Sequence, residues 1–258
     1  MQKIYKRVPL LKFFEMKVIP LLEGVYEVSL KKDFHYVSPD LIDGKPTEGY
    51  YLIVRPFLVQ IGDENILIDA GYGGEEECEP ILIKKLRENG LNSTAISKVL
   101  ISHLHKDHIN GIGTWIGEEF VCNFPNAQIY IQQKEYDYAI AQTNNSYNYE
   151  RLEKLKNFKN IVWMNENEGD ISEHIHFEMT GGHVPFQQVF WIKNNDETVF
   201  YGADNLPQLN YLKYHAAFKN DVDGHKAMED RLRWEEQAKN EYWKILFYHG
   251  KRTDIKQF

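Results

Sequence analysis

The chain has 258 residues, of which 43% are hydrophobic and 14% aromatic, enough apolar material for a sizeable core, and that excludes intrinsic disorder. Its formal charge of −8, from 30 basic and 38 acidic residues, disfavours non-specific nucleic-acid binding, which draws its affinity from phosphate neutralisation. No run of roughly 18 apolar residues offers a membrane span, and Cys78 and Cys122 form neither a zinc-knuckle spacing nor a disulfide framework.

The N-terminal stretch MQKIYKRVPLLKFFEMKVIPLLEG is basic with apolar flecks, but Lys12, Glu15 and Lys17 interrupt any signal-peptide core. A cytoplasmic protein with two free thiols is expected. GVYEVSL (24–30), YYLIVRPFLVQIG (50–62) and NILIDAG (65–71) read as strands, with Gly62-Asp63-Glu64-Asn65 supplying hairpin turn chemistry. A helix follows, with Pro80 near its first turn, Ile81, Leu82, Ile83 and Leu86 on its apolar face, and Gly90 as its stop. SKVLISH (97–103) is a short apolar run ending abruptly in polar residues, the pattern of a buried strand.

NAQIYIQQ (126–133) predicts another strand, followed by a Tyr- and Asn-rich helical stretch to about Lys159. The β pattern resumes in IVWMN (161–165), HIHFEMT (174–180), QQVFWI (187–192) and ETVFYGAD (197–204). Asp223 is placed to cap a long helix running through HKAMEDRLRWEEQAKNE, and WKILFYHG (243–250) closes the chain as a last apolar strand. Helices within and after two runs of strands predict a four-layer αββα sandwich of the α/β class. With no repeat, low-complexity tract or linker, a single domain over 1–258 is expected.

The segment SHLHKDHING (102–111) concentrates three histidines and an aspartate at its centre: His103, His105, Asp107 and His108. Other apolar strands also end in metal-capable or acidic residues, namely Asp69, Asp204 and His249, and EMTGGH puts His183 just past a strand. Strand ends along one edge of stacked sheets can converge on a point. His103 and His105 with His183 would make a three-nitrogen face for zinc. Asp107 and His108 lie one turn further on and, with His249, could hold a second ion, while the Asp204 carboxylate could bridge the two. A pair of divalent ions can share a hydroxide and clamp the attacked group. In that reading Asp107 also orients the hydroxide and relays its proton.

The chain order Asp69, then His103, His105, Asp107 and His108, then His183, Asp204 and His249 resembles the metallo-β-lactamase-fold hydrolase superfamily across about 180 residues. The resemblance implies that superfamily's fold, a two-zinc centre with Mn or Fe as alternatives, and hydrolysis of a small-molecule substrate; Asp69 in that family orients ligands without binding metal. Several departures narrow the choice. The commonest β-lactam-cleaving members carry cysteine where Asp204 stands, flavodiiron relatives usually replace the second histidine by glutamate, and the tyrosine that acyl-homoserine lactonases place three residues after the bridging aspartate is Pro207 here. The layout of GADNLPQ, a long acidic helix and LFYHG looks more like phosphotriesterase-like and lactonase-like hydrolases of ester-type bonds.

Within the same fold, an RNA-processing nuclease would need a basic gripping surface, and a mononuclear-iron sulfur dioxygenase would use only His103, His183 and Asp204. A metal-binding protein without chemistry is a third alternative. His174 and His176 repeat the H-x-H spacing without the D-H continuation and are expected to be solvated, and His35, His215 and His225 have no partner in the sequence. Tyr136, Tyr138, Tyr147, Tyr149, Tyr211, Tyr214 and Phe218 fall between the metal motifs. Core packing or a homodimer contact is the expected role of any one of them; as a group they suggest an aromatic-walled pocket.

Overall fold

A computed structural model describes residues 15–76 and 79–258. Cys78 and the N-terminal stretch up to residue 14, including Lys12, lie outside the described residues. Cys122 is a free thiol.

Two six-stranded sheets face each other. The first runs Met16–Pro20, Phe57–Ile61, Glu64–Ile68, Lys98–Leu100, Gln128–Gln132, Ile161–Met164. Its first three strands pair antiparallel, with Ile61 opposite Glu64 across the turn at Gly62-Asp63. From Glu64–Ile68 onward the pairing is parallel. Parallel neighbours need long crossovers, and helices Ile81–Glu88, Gln133–Ile140 and Tyr149–Leu155 lie within them.

The second sheet runs Glu168–Ser172, Ile175–Met179, Gln188–Asn194, Glu197–Tyr201, Lys244–Leu246, Ile255–Gln257. It is antiparallel except where Glu197–Tyr201 meets Lys244–Leu246, and the crossover there carries the long helix Gly224–Glu241. Asp223 caps that helix, its carboxylate accepting from the Lys226 amide at 3.0 Å.

Three apolar layers hold the four layers of secondary structure together. Phe57, Val59, Ile66 and Ile68 of the first sheet meet Phe177, Phe190, Ile192 and Tyr201 of the second in the central layer. On the outer face of the first sheet, Leu58, Leu67, Val99 and Ile129 pack on Leu82, Leu86, Tyr136 and Leu152 from the helices. Outside the second sheet, Val189, Phe200 and Ile245 cover Trp234 and Ala238 of the long helix. The αββα sandwich expected from the sequence is the observed architecture.

The run 50–62 is not one strand, as expected, but two. Tyr50–Val54 joins a separate three-stranded sheet with Gly24–Val28 and Phe34–Val37, while Phe57–Ile61 enters the first large sheet. The break falls at Arg55-Pro56, where proline has no amide to donate to a ladder. On either side of Arg55, Pro56 O accepts from Leu21 N at 2.8 Å and Val54 O from Glu23 N at 3.0 Å. The helical stretch expected to about Lys159 is likewise two helices, interrupted over 141–148. Strands Glu168–Ser172, Ile255–Gln257 and the hairpin Gly113–Ile116/Glu119–Cys122 had no clear apolar signal; the first two are edge strands with charged, half-exposed residues.

Candidate metal centre

Parallel strands all end on the same sheet edge, and four of the apolar runs reach that edge immediately before a polar residue. Asp69 follows Glu64–Ile68, His103 lies just past Lys98–Leu100, Asp204 follows Glu197–Tyr201 through a short 3-10 turn, and His249 lies just past Lys244–Leu246. Gln188 joins the two sheets near this edge, its amide donating to Ser102 O at 2.8 Å and its side chain to Ile101 O at 3.1 Å. His108 sits on the short helix Lys106–Ile109, whose start puts Asp107 in its first turn.

The fold brings seven side chains together. His103, His105 and His183 form one group, Asp107, His108 and His249 another, and Asp204 forms a third with His103 and His108; within each group the ligand atoms lie within 4.8 Å of one another. His105 Nδ1 stands 3.1 Å from His103 Nε2 and 3.2 Å from His183 Nε2. Asp107 Oδ2 is 3.6 Å from His108 Nε2 and 3.5 Å from His249 Nε2. The Asp204 carboxylate faces both ways: Oδ2 lies 3.4 Å from His183 Nε2, and Oδ1 lies 3.4 Å from His108 Nε2 and 3.2 Å from His249 Nε2.

Four of the five imidazoles are held from behind by Nδ1, which leaves Nε2 turned inward. His108 Nδ1 meets Asp69 Oδ2 at 2.7 Å, His183 Nδ1 meets Asp221 Oδ1 at 2.9 Å, His103 Nδ1 meets Ser102 Oγ at 3.0 Å, and His249 Nδ1 donates to Ile53 O. A carboxylate or carbonyl on the outer nitrogen fixes the tautomer and raises the basicity of the inner one, as metal-ligating histidines require. Asp69 is itself fully buried and accepts from Ser102 N at 2.7 Å, Ser102 Oγ at 2.8 Å and Tyr201 OH at 2.5 Å, so its carboxylate is saturated and faces no cleft. Its φ of +56° is one of the few left-handed values at a non-glycine residue, a conformation that aspartate tolerates better than most.

The electrostatics fit a cation. Burial and the adjoining imidazoles hold His103 and His105 well below the ordinary histidine range, leaving them neutral donors. Burial pulls His108 and His249 the same way, but Asp204 and Asp107 outweigh it and raise both. Burial would raise Asp204, yet His249, His108 and His183 hold it well below the carboxylate range. His108 Nε2 and Asp204 Oδ1 are buried without a hydrogen-bond partner. Orphaned buried polar atoms are costly, and a donor set of imidazole nitrogens and carboxylate oxygens around them matches a borderline divalent ion.

Several supporting residues escaped sequence reasoning. Ser102 and Tyr248 adjoin ligand-type histidines in the chain, so position alone could have flagged them; Tyr248 stacks on His108 with centroids 4.2 Å apart and donates to Asp107 O at 2.7 Å. Asp221 had no signal. Glu135, fully buried and pushed up to about 8 by burial, accepts from the amide of Leu104 at 3.3 Å, between His103 and His105. Gly182 adopts φ +97°, and a Cβ there would come within 2.6 Å of Asn205 Oδ1, the atom that accepts from His183 N at 2.8 Å. His174 and His176 lie elsewhere, on Lys193 O and Asp170 respectively, and belong to none of the ligand groups found among the described residues.

A cleft of about 580 Å³ opens over the centre, with Asp107, Asp204 and His249 on its floor and Phe34, Tyr50, Tyr51, Tyr138, Tyr147 and Tyr211 among its walls. Tyr136 is instead buried on the outer face of the first sheet and Tyr149 and Tyr214 are exposed. Among the described residues no helix is long and apolar enough to cross a membrane.

The family model described as the metallo-beta-lactamase superfamily matches residues 51–249. A search of curated proteins finds no match. Among solved structures, a probable metal-dependent hydrolase from Staphylococcus aureus superposes with a TM-score of 0.74 at 20% identity, covering 95% of this chain and 93% of that one. AidC, a dizinc quorum-quenching lactonase in complex with a product, gives 0.72 at 20% identity over 95% and 91% of the two chains. An N-acyl homoserine lactone hydrolase with N-hexanoyl-L-homoserine bound at its catalytic metal centre gives 0.66 at 20% identity over 90% and 92%. At these identities the likeness is one of fold.

Proposed function

We propose, because this chain belongs to the metallo-beta-lactamase superfamily, that it is a dinuclear metal hydrolase that cleaves an ester-type bond in a small molecule: a lactone, carboxylic ester, thioester or phosphotriester. The observation that carries the reading is Asp204, whose two carboxylate oxygens face different histidine groups. His103, His105 and His183 would hold one ion and Asp107, His108 and His249 the other, with Asp204 shared between them. When bound, such a pair supplies Lewis acidity and an activated water at neutral pH.

The chain's own residues do the remaining work. Asp107, which lines the cleft, would orient the attacking water and take up its proton on the carboxylate oxygen not given to the ion. Asp69 and Asp221 keep His108 and His183 in the tautomer that presents Nε2. The aromatic walls exclude bulk water and position the acyl or alkyl part of the substrate. Zinc is the preferred ion, since imidazole with carboxylate suits it, and Mn or Fe can occupy the same donors. The likeness to a dizinc lactonase supports both zinc and a lactone within the substrate class.

The described residues are read as one hydrolase domain. A single iron on His103, His183 and Asp204 would leave the convergence of Asp107, His108 and His249 without a role. The charge of −8 weighs against an RNA substrate.

The test is metal quantification on protein purified without added metal, run beside a panel of esters, lactones, thioesters and phosphotriesters. Two ions per chain are expected, and His105→Ala or Asp204→Asn should lower kcat/KM more than about a hundredfold while circular dichroism stays that of the parent. Parent-like hydrolysis by either variant would overturn the reading.

A further inference from the structure

The cleft wall is charged in a way the metal centre does not explain. Its acidic residues are Asp107, Asp204 and Asp221, and each already faces a histidine. Its basic residues are Lys32, Lys106 and Lys219. Among the described residues none of these three is in an ion pair, whereas Lys98, Lys226 and Lys244 are. Lys106 feels Asp107 and Asp33 at longer range, but no carboxylate is at contact distance from any of the three lysines among the described residues, in a chain whose net charge is −8.

Two of the lysines are placed by built structure. Lys32 sits at the tip of the turn Ser29–Asp33 with φ +65°, a conformation that favours glycine or asparagine, so a lysine there is held at some conformational cost. The turn is tied down from several sides: Ser29 Oγ accepts from the amides of Lys31 and Asp33, Lys31 O accepts from Asn145 Nδ2 at 3.0 Å, and Lys32 O accepts from Lys106 Nζ. Lys106 N in turn donates to Ser146 O at 2.9 Å.

Lys32 Nζ donates to Tyr50 OH at 3.1 Å, and Lys106 Nζ lies 4.9 Å from the Phe34 ring centre. An ammonium has three donors, and each of these spends one on a neutral oxygen. The others remain for a ligand. Lys219 lines the same cleft, in the segment tied to His183 through Asp221 and through Val222 N on His183 O.

We propose that the substrate carries an anionic group, a carboxylate or phosphate, away from the bond that is cleaved, and that Lys32, Lys106 and Lys219 at the cleft rim bind it. The inference rests on the hydrolase reading above for the reacting end of the molecule. The apolar body between the two ends lies against Phe34 and Tyr50, and the cleft has the size of small-molecule sites generally.

The test pairs an anionic probe with a neutral one on zinc-loaded protein. Calorimetry with N-(para-nitrophenyl)adipamic acid and N-(para-nitrophenyl)hexanamide, which resist hydrolysis, compares binding. Turnover of mono-para-nitrophenyl adipate and para-nitrophenyl hexanoate compares kcat/KM. The anionic member of each pair should be favoured about tenfold or more, the scale of one charge-assisted hydrogen bond. Lys32→Met and Lys219→Met should each reduce that ratio, and added salt should do the same.

Equal binding of the two anilides overturns the proposal. A preference undiminished in both variants also overturns it. Absence of hydrolysis with both esters counts against the hydrolase reading, while the calorimetric ratio still decides the anion site.

Discussion

The centre works through atoms one step removed from it. Asp221 is the plainest case: its carboxylate fixes the outer nitrogen of His183, and nothing else among the described contacts of that nitrogen does so. Asp221→Ala should weaken metal binding about 10- to 100-fold, read by competition with a chromophoric chelator. Unchanged affinity would mean that the His183 ring is oriented by packing alone. Glu135 makes a second case, with pH as the readout. Its folded pKa is raised from 4.5 to about 8, chiefly by burial, so the stability associated with its protonated form is present below the unfolded value and is lost as pH rises through about 8. Glu135→Gln keeps an acceptor for the Leu104 amide without the titration. The variant should gain on the parent in denaturant midpoint between pH 5 and pH 8, and parallel pH profiles would refute the assignment.

At the scale of elements, the long helix Gly224–Glu241 carries the crossover that makes Lys244–Leu246 parallel to Glu197–Tyr201, which brings Asp204 and His249 to one edge. Its cap is local and testable. Asp223→Ala should cost about 1 kcal/mol, or about 2–4 °C in Tm by thermal melting. This helix and most core strands were readable in the sequence because their apolar residues recur with a clear period and stop at a polar or capping residue. The same abrupt stops at Asp69, His103, Asp204 and His249 marked the edge where the seven side chains meet. Elsewhere the signal was misleading or missing. The run 50–62 looks continuous because both halves are apolar, and only the missing amide of Pro56 hands the chain from one sheet to another. Edge strands such as Glu168–Ser172 carry charge where they face solvent, which erases their alternation. Asp221 and Lys32 sit in irregular segments, where no periodicity connects a residue to the cleft it lines.

At the scale of the whole molecule, the donors come from both sheets and from chain positions as far apart as 103 and 249. Bound ions would therefore act as a clasp between the halves of the sandwich. Ion at a hundred times its dissociation constant adds about 2.7 kcal/mol to the folded state, so stripping with a strong chelator should lower Tm by about 5–10 °C, restored by readdition. A melting curve indifferent to chelation would remove that role. The Asp204 carboxylate, which looks towards both histidine groups, has a further consequence during refolding. No fragment that lacks either sheet can present the complete set of donors, so high-affinity uptake requires the long-range docking of the two halves and reports it.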